Sequence, residues 1–206
     1  MLKVGLTGSI AVGKSFVLEV LRELGAVTLD ADLTAREVVA PNTKGLELIV
    51  EKFGAEILQL NGELDRAKLG AIVFSDEAKR QLLNSIVHPI VHETQSIWLA
   101  EREGENPNGI AVIDAALMVE SGGWKRFHKL IVVFCQPEIQ LERLMSRNNL
   151  SETEAIKRIN SQMPQDEKKK FADFLINTSN GFEDTRRQTT EIYEQLKFIQ
   201  NEKHVK

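Results

Sequence analysis

The sequence predicts an α/β protein with a five-stranded parallel sheet flanked by helices. Five short apolar runs have the length of buried strands, and the segments between them carry apolar residues at helical spacing. A glycine-rich loop joins the first run to the first helical segment. With 206 residues, of which 42% are hydrophobic and 27% are charged, the chain suits one such domain with insertions.

The apolar pattern is clearer in some predicted strands than in others. The run at 129–135 is continuously apolar after its first residue, as expected for a strand covered on both faces, whereas the run at 174–177 is shorter. Apolar residues on one face of the stretch 183–200 predict a last helix that covers the sheet. The five predicted strands are 2–7, 26–30, 110–114, 129–135 and 174–177.

The loop after the first strand matches G-x-x-x-x-G-K-[ST], a pattern that binds nucleoside triphosphates. Gly8 and Gly13 let the main chain approach a phosphate closely, and successive N–H groups converge on the anion at a helix N-terminus. Lys14 can reach the β- and γ-phosphates, and Ser15 can offer its hydroxyl to Mg²⁺. Apolar spacing over 16–24 predicts the helix that the motif requires.

A long insertion lies between the second and third predicted strands. It spans about eighty residues, far more than one crossover helix needs. Helical patterns occur at 46–53, 77–87 and 89–101. We expect Pro89 to separate the last two helices, because proline cannot continue a helix but suits its first turn. The insertion is a candidate subdomain for a second substrate.

Another insertion follows the fourth strand. Its first helix is predicted from Pro137 to Arg147. A capping box formed by Ser151 and Glu154 opens the next helix, which is expected to run to about Met163. Two charged helices in this position are typical of a lid.

Carboxylates follow two predicted strands at the edge where open α/β sheets bind ligands. Asp30 ends the second strand, Asp32 follows it, and Asp114 ends the third. Residues two apart in an extended segment face the same way, so Asp30 and Asp32 are expected to point together toward the loop. In phosphoryl transfer to an alcohol, one carboxylate accepts the hydroxyl proton and another holds Mg²⁺. The alternative is that these aspartates form turns or cap helices.

Basic residues in the predicted lid could neutralise a phosphoryl group. Arg143 and Arg147 are four apart and share a helix face, and Arg158 lies in the next helix. Charged helices are also typical of a solvated surface. His88 precedes Pro89 and has a structural alternative, since its ring can bond exposed backbone at a helix break.

Composition narrows the class of function. The net charge of −4 argues against nucleic acid as the main partner. Cys135, the only cysteine, ends an apolar run, which predicts a buried thiol without a disulfide. The apolar runs are too short to span a bilayer and no signal peptide is visible. We therefore expect a cytoplasmic protein with no membrane partner and no obligate protein partner.

Taken in order, these residues resemble the dephospho-coenzyme A kinase family over nearly the full length of the chain. A phosphate loop alone is shared by many families, and the ordered set of further segments is much more specific. The matching segments are Val4–Ile10, Gly13–Ser15, Asp30–Asp32, Arg36–Val38, Phe53–Gly54, Gly62–Arg66, His88–Ile90, Asp114–Gly122, Gln140, Arg143–Leu144, Arg147, Arg158–Ile159, Gln162, Ala172–Asp173 and Ile176–Asn177.

This resemblance implies a P-loop kinase fold with a helical substrate-binding insertion and a helical lid. The implied reaction transfers the γ-phosphoryl group of ATP, with Mg²⁺, to the ribose 3′-hydroxyl of dephospho-coenzyme A, which gives coenzyme A and ADP. Three parts are implied. They are a nucleotide-binding core at 1–30, 106–135 and 171–206, an acceptor-substrate subdomain at 31–105, and a lid at 136–170.

The resemblance also implies roles for single residues. Asp32 would be the base or would orient the hydroxyl, and Lys14 and Arg147 would be the catalytic cations. The implied acceptor contacts are Asp32, Arg36 and His88. The implied Mg²⁺ ligands, directly or through water, are Ser15 and Asp114. The implied nucleotide contacts are Gly8, Ala11, Val12, Gly13, Lys14, Ser15, Phe16, Arg147 and Asn177.

The phosphate loop departs from the family's usual Gly-Gly-Ile-Gly-Ser-Gly-Lys-Ser-Thr. Ala11 replaces a glycine, which restricts the backbone unless φ is negative there. Phe16 replaces the threonine, so only its N–H could contact a phosphate. Other interpretations stay open: a kinase for another small acceptor such as a nucleoside monophosphate or shikimate, a nucleotide-dependent switch, or a binding module without activity. The switch is disfavoured because guanine-specific switches usually carry an Asn/Thr-Lys-x-Asp segment. The nearest match here, 43–46, lacks the aspartate.

Overall fold

The computed structural model describes residues 1–202 and places five strands in one parallel sheet. Their spatial order is β2-β3-β1-β4-β5. The strands are β1 (Leu2–Gly8), β2 (Val27–Asp30), β3 (Ile110–Asp114), β4 (Lys129–Phe134) and β5 (Phe174–Asn177). The predicted fold class is confirmed, and all five strands lie within one residue of their predicted ends.

Helices connect the strands and fill both insertions. The helices are α1 (Lys14–Glu23), α2 (Ala31–Glu37), α3 (Lys44–Phe53), α4 (Arg66–Phe74), α5 (Glu77–Glu105), α6 (Pro137–Asn148), α7 (Glu152–Asn160), α8 (Gln165–Lys169) and α9 (Gly181–Glu202). The predicted capping box opens α7, with both Ser151–Glu154 bonds formed. This helix ends at Asn160 rather than near Met163. Across residues 1–202, none of the helices combines the length and apolar character needed to cross a membrane.

Register aligns the carboxyl ends of three strands. Leu6 of β1 pairs with Asp114 of β3, and Asp114 pairs in turn with Asp30 of β2. On the other side of β1, Gly8 pairs with Val133 of β4. The phosphate loop therefore leaves β1 at the edge where two strands end in carboxylates.

The sheet has a buried core shared with the helices. Side chains of α1 and α9 join those of β1, β3 and β4 in one cluster, in which Leu6, Val112 and Ile131 are fully buried. Cys135 belongs to this cluster and is 4% exposed, which confirms the predicted buried thiol. Burial raises the pKa of this thiol, and the nearby Arg143 charge opposes that shift.

The chain separates into two units of dense contacts. The first unit comprises residues 1–30 and those from 101 onward and contains the sheet. The second unit, Ala31–Ala100, is helical and has a hydrophobic core of its own. This second core is formed by Val38, Val39, Leu46, Ile49, Ile57, Leu64, Leu69 and Val91. The assignment of an acceptor subdomain and a lid to parts of the chain stays a prediction.

One predicted helix break is wrong. Pro89 lies inside α5, which continues from Glu77 to Glu105. Proline removes one backbone hydrogen bond from a helix interior. On both sides of it, apolar side chains such as Ile86 and Val91 pack into the core of the second unit. Tertiary packing therefore keeps the helix continuous where the local rule predicts an end.

The extended segment assumed for Asp30 and Asp32 is not present, so the shared direction expected for their side chains loses its basis. Asp30 ends β2 and α2 begins at Ala31. The rule that residues two apart share a face does not apply across a strand–helix junction. Asp32 instead occupies the first turn of α2, where a carboxylate favours the positive end of a helix.

Candidate active site

The phosphate loop joins β1 to α1, and its two glycines are required by sterics. A side chain at Gly8 would place its Cβ 2.7 Å from the carbonyl oxygen of Val133 and 2.8 Å from Cγ2 of Val12. Gly13, which precedes the first residue of α1, has a φ of 85°. Glycine adopts that conformation without strain, so the motif's spacing matches the backbone it forms.

Ala11 has a φ of 61°, in the left-handed region. A side chain disfavours this conformation, so the substitution for glycine does restrict the backbone here. The loop nevertheless keeps its turn: Val12 donates to the carbonyl of Ser9 over 3.4 Å. Contacts elsewhere must hold Ala11 in place.

Lys14 forms an ion pair with Asp114. Lys14 begins α1 and Asp114 ends β3, and their side chains are 17% and 8% exposed. A partly buried ion pair is screened less by salt than an exposed one. The structure therefore brings together two residues that the sequence singled out a hundred positions apart.

Ser15 is exposed and follows Lys14 at the start of α1. Its hydroxyl and the Asp114 carboxylate are oxygen donors of the kind Mg²⁺ prefers. Among residues 1–202 there is no group of three or more histidine, cysteine or acidic side chains that could hold a metal. A donor set this small fits Mg²⁺, which keeps several waters and binds through one or two protein ligands plus substrate phosphates.

Thr178, directly after β5, supports the loop from the side. Its hydroxyl donates to the carbonyl of Val12 over 2.6 Å. Arg143 donates to the Thr178 hydroxyl over 2.9 Å and to its carbonyl over 2.8 Å. A Cβ built on Gly13 would lie 3.4 Å from the Arg143 guanidinium. Arg143 therefore places a positive charge beside the loop, and Thr178 is a site residue that sequence reasoning missed.

Ile10 at the loop's tip is held by two glutamine side chains. Its N–H donates to Oε1 of Gln162, and its carbonyl accepts from Nε2 of Gln140, each over 2.8 Å. Gln140 belongs to α6, and Gln162 follows α7. The resemblance included both glutamines, but residue type alone did not indicate that they hold the phosphate loop.

Lys168 of α8 is fully buried. Its ammonium donates to the carbonyl of Ala116 over 2.7 Å and pairs with Glu120 at 3.0 Å. Burial lowers the pKa of Lys168, the Glu120 carboxylate opposes that shift, and the positive charge of Lys14 adds to it. A run of three lysines at 168–170 is usually a solvated surface, which explains why the sequence did not reveal it.

Three predicted nucleotide contacts are engaged in other ways. Phe16 packs edge-to-face on Phe182 with ring centroids 4.8 Å apart, and its N–H donates to Gly13 over 3.2 Å. The Asn177 side chain accepts from the N–H of Ser179 over 3.0 Å. Arg147 is exposed and donates to the side chain of the neighbouring Asn148.

The predicted acceptor contacts all belong to the second unit. Asp32, Arg36 and His88 are each exposed there. The His88 ring stacks on His92 with centroids 6.1 Å apart. Because α5 is continuous at this point, His88 does not cap a helix break. These three assignments stay predictions.

Comparison with known proteins places the chain in one family. The family model described as dephospho-CoA kinase matches residues 2–184. A dephospho-CoA kinase from Listeria monocytogenes is 45% identical over 198 residues, which cover 96% of this chain and 98% of that protein. One from Geobacillus kaustophilus is 48% identical over 196 residues, with 94% and 96% covered. The solved structure of the Campylobacter jejuni dephospho-CoA kinase superposes with a TM-score of 0.69 at 30% identity, covering 95% of this chain and 96% of that one.

Proposed function

This chain belongs to the dephospho-coenzyme A kinase family, and we propose that the site around its phosphate loop carries out the family's ATP-dependent reaction. In that reaction the γ-phosphoryl group of ATP passes to the ribose 3′-hydroxyl of dephospho-coenzyme A, which gives coenzyme A and ADP. The observation that carries the proposal is the ion pair of Lys14 with Asp114 beside a loop whose glycines have the required conformations. The family match identifies the acceptor.

ATP would bind with its phosphates in the loop between β1 and α1. The first N–H groups of α1 have no partner within the helix and lie at its positive end, so they suit an anion. Lys14 would leave Asp114 to contact the β- and γ-phosphates and neutralise the charge that develops during transfer. The proposed nucleotide contacts are Gly8, Ala11, Val12, Gly13, Lys14, Ser15, Phe16, Arg147 and Asn177.

Arg143 is a further cation for the phosphates. Its guanidinium is fixed by two hydrogen bonds to Thr178 and lies beside Gly13. A preorganised positive charge costs no rearrangement when the phosphoryl group moves. Arg147, one helical turn further along α6, is exposed and donates to the side chain of Asn148.

Mg²⁺ would be held by Ser15 and Asp114, directly or through water. Mg²⁺ bound there would supply positive charge that offsets the negative charge of the phosphates. Asp114 suits this task because its carboxylate would be released when Lys14 moves to the phosphates. The ion pair seen here therefore links nucleotide binding to the availability of a metal ligand.

Asp32 is the proposed base or orienting group for the acceptor hydroxyl. Its support is chemical and comes from the family, since phosphoryl transfer to an alcohol needs a carboxylate that accepts the hydroxyl proton. The side chain is exposed in the first turn of α2. Arg36 and His88, also exposed in the second unit, are the proposed acceptor contacts.

Mass-resolved product analysis tests the proposal directly. Purified, folded protein is incubated with ATP, Mg²⁺ and dephospho-coenzyme A, and the product is expected to gain one phosphoryl group on the ribose 3′-hydroxyl. Adenosine monophosphate and shikimate serve as competing acceptors, and the ratio of kcat/KM values should favour dephospho-coenzyme A. Absence of 3′-phosphorylation, or a preference for another acceptor, would overturn the assignment.

A further inference from the structure

Both backbone polar groups of Ile10 are occupied by side chains from outside the loop. The N–H donates to Gln162 and the carbonyl accepts from Gln140, each over 2.8 Å. The two glutamines are separated by α7 in the chain. They therefore fix Ile10 from two sides.

Gln140 is itself held in one orientation. It is 2% exposed, and its Oε1 accepts from Nε2 of Gln165 over 2.7 Å. Gln165 in turn accepts from the backbone N–H of Cys135, directly after β4, over 3.0 Å. Because the amide oxygen of Gln140 is used by Gln165, its NH₂ group is left to face the Ile10 carbonyl. A chain of amides thus runs from the sheet to the loop.

The bond to the Ile10 carbonyl also sets the direction of the next donor. The peptide between Ile10 and Ala11 is planar and trans, so the N–H of Ala11 points away from the carbonyl that Gln140 holds. Ala11 lies in the left-handed region, with a φ of 61° that a side chain disfavours. A restraint on the preceding peptide therefore acts where the loop is strained.

We propose that Gln140 and Gln162 are positioning residues that hold Ile10 and thereby keep Ala11 in the left-handed conformation that aims the loop's N–H groups at a phosphate. The inference rests on the proposed function only in that the loop binds the phosphates of a nucleotide. It does not depend on which acceptor is phosphorylated.

Binding of ADP without an acceptor tests the proposal. The Gln140→Met variant removes the hydrogen bonds of this side chain while keeping its length. By calorimetry we expect ADP affinity to fall about tenfold, the usual scale of one hydrogen bond, because a single bond joins Gln140 to the loop. The matched control is Gln200→Met, since Gln200 is also 2% exposed and donates to a backbone carbonyl, that of Pro107, over 3.2 Å. Unchanged ADP affinity for Gln140→Met, or an equal loss in the control, would overturn the proposal.

A rescue experiment separates positioning from a general loss of structure. Glycine adopts a positive φ without strain, so a loop with Ala11→Gly should depend less on the glutamine hydrogen bonds to Ile10. We expect Gln140→Met to lower ADP affinity much less in an Ala11→Gly background than in the wild-type background. Purely additive effects would contradict the proposal.

If Gln140→Met does not fold, Gln162→Met carries the same test, because Gln162 is only partly buried and contacts the other side of Ile10. If the wild-type protein failed to phosphorylate dephospho-coenzyme A, the proposed function would be overturned instead. The product analysis that detects this is separate from the ADP-binding measurement. The two proposals can therefore fail independently.

Discussion

Lys14 and Asp114 form an ion pair that joins the first residue of α1 to the last residue of β3. Asp114 also lies in register with Asp30, so the ammonium sits at an edge of the sheet where two strands end in carboxylates. Such a pair holds the partly buried Lys14 ammonium until an anion of higher charge competes for it. Nucleotide phosphates are such an anion, and binding them would free Asp114 for a metal.

The Lys14→Met variant should retain the fold and lose most activity. We expect kcat/KM to fall at least about a hundredfold, because a fixed charge on the transferring group is worth roughly 10²–10³ in rate. Steady-state kinetics with ATP and dephospho-coenzyme A measure the effect. Lys44→Met is the control, since Lys44 is exposed on α3. Activity within a few-fold of wild type would show that Lys14 does not contact the phosphates.

Asp114→Asn should change the magnesium requirement. The amide keeps the shape of the carboxylate but loses its charge, so more Mg²⁺ should be needed to reach half-maximal rate. Titration of activity against Mg²⁺ measures the shift, which we expect to be several-fold. Asp173→Asn is the control because Asp173 precedes β5, at the amino end of the sheet, where it pairs with Lys129. An unchanged Mg²⁺ profile for Asp114→Asn would remove it from the metal site.

Asp32→Asn should separate chemistry from nucleotide binding. Loss of a general base typically lowers turnover by about 10²–10⁴, while ADP affinity should stay near wild type because Asp32 is not part of the loop. The matched control is Glu37→Gln, which removes an exposed carboxylate from the other end of the same helix. Near-normal kcat for Asp32→Asn would mean that another group accepts the proton.

Periodicity and turn residues were enough to predict the sheet, because buried parallel strands leave continuous apolar runs in the sequence. The loop and its lysine were predicted for a different reason: Gly8 and Gly13 occupy positions where a side chain would collide or be strained. Both kinds of signal come from constraints on single positions or short windows.

The features that escaped prediction depend on contacts between distant segments. Nothing in the neighbours of Lys168 indicates that it is buried, since its burial arises from Ala116 and Glu120. Pro89 is kept inside α5 by the packing of that helix into a core, which local propensity does not describe. The φ of Ala11 likewise follows from its surroundings and not from its residue type.

Lys168 should make stability depend on pH in the alkaline range. Its pKa is lowered in the folded state by burial, whereas the unfolded value is about 10.4. Between these two values the unfolded chain binds more protons, so this residue's contribution to the free energy of unfolding rises with pH. We expect the free energy of unfolding of wild type minus that of Lys168→Met to increase toward pH 10, as measured by urea unfolding.

Lys170→Met is the control for that pH dependence, because Lys170 is exposed and follows the same helix. The free energy of unfolding of wild type minus that of Lys170→Met should stay constant over the same pH range. If the free energy of unfolding of wild type minus that of Lys168→Met decreased as pH rises, the pKa of Lys168 would be raised rather than lowered in the folded protein.

Pro89→Ala should stabilise the protein. Proline in a helix interior removes a hydrogen bond and costs up to about 3 kcal/mol relative to alanine, and α5 tolerates this cost only because its apolar side chains are packed. The free energy of unfolding in urea should therefore increase. Pro137→Ala provides the contrast, since Pro137 is the first residue of α6, where proline is favoured. No increase at position 89 would show that the proline in α5 carries no such cost. An increase at position 137 as large as that at 89 would show that the cost does not come from the interior position of Pro89.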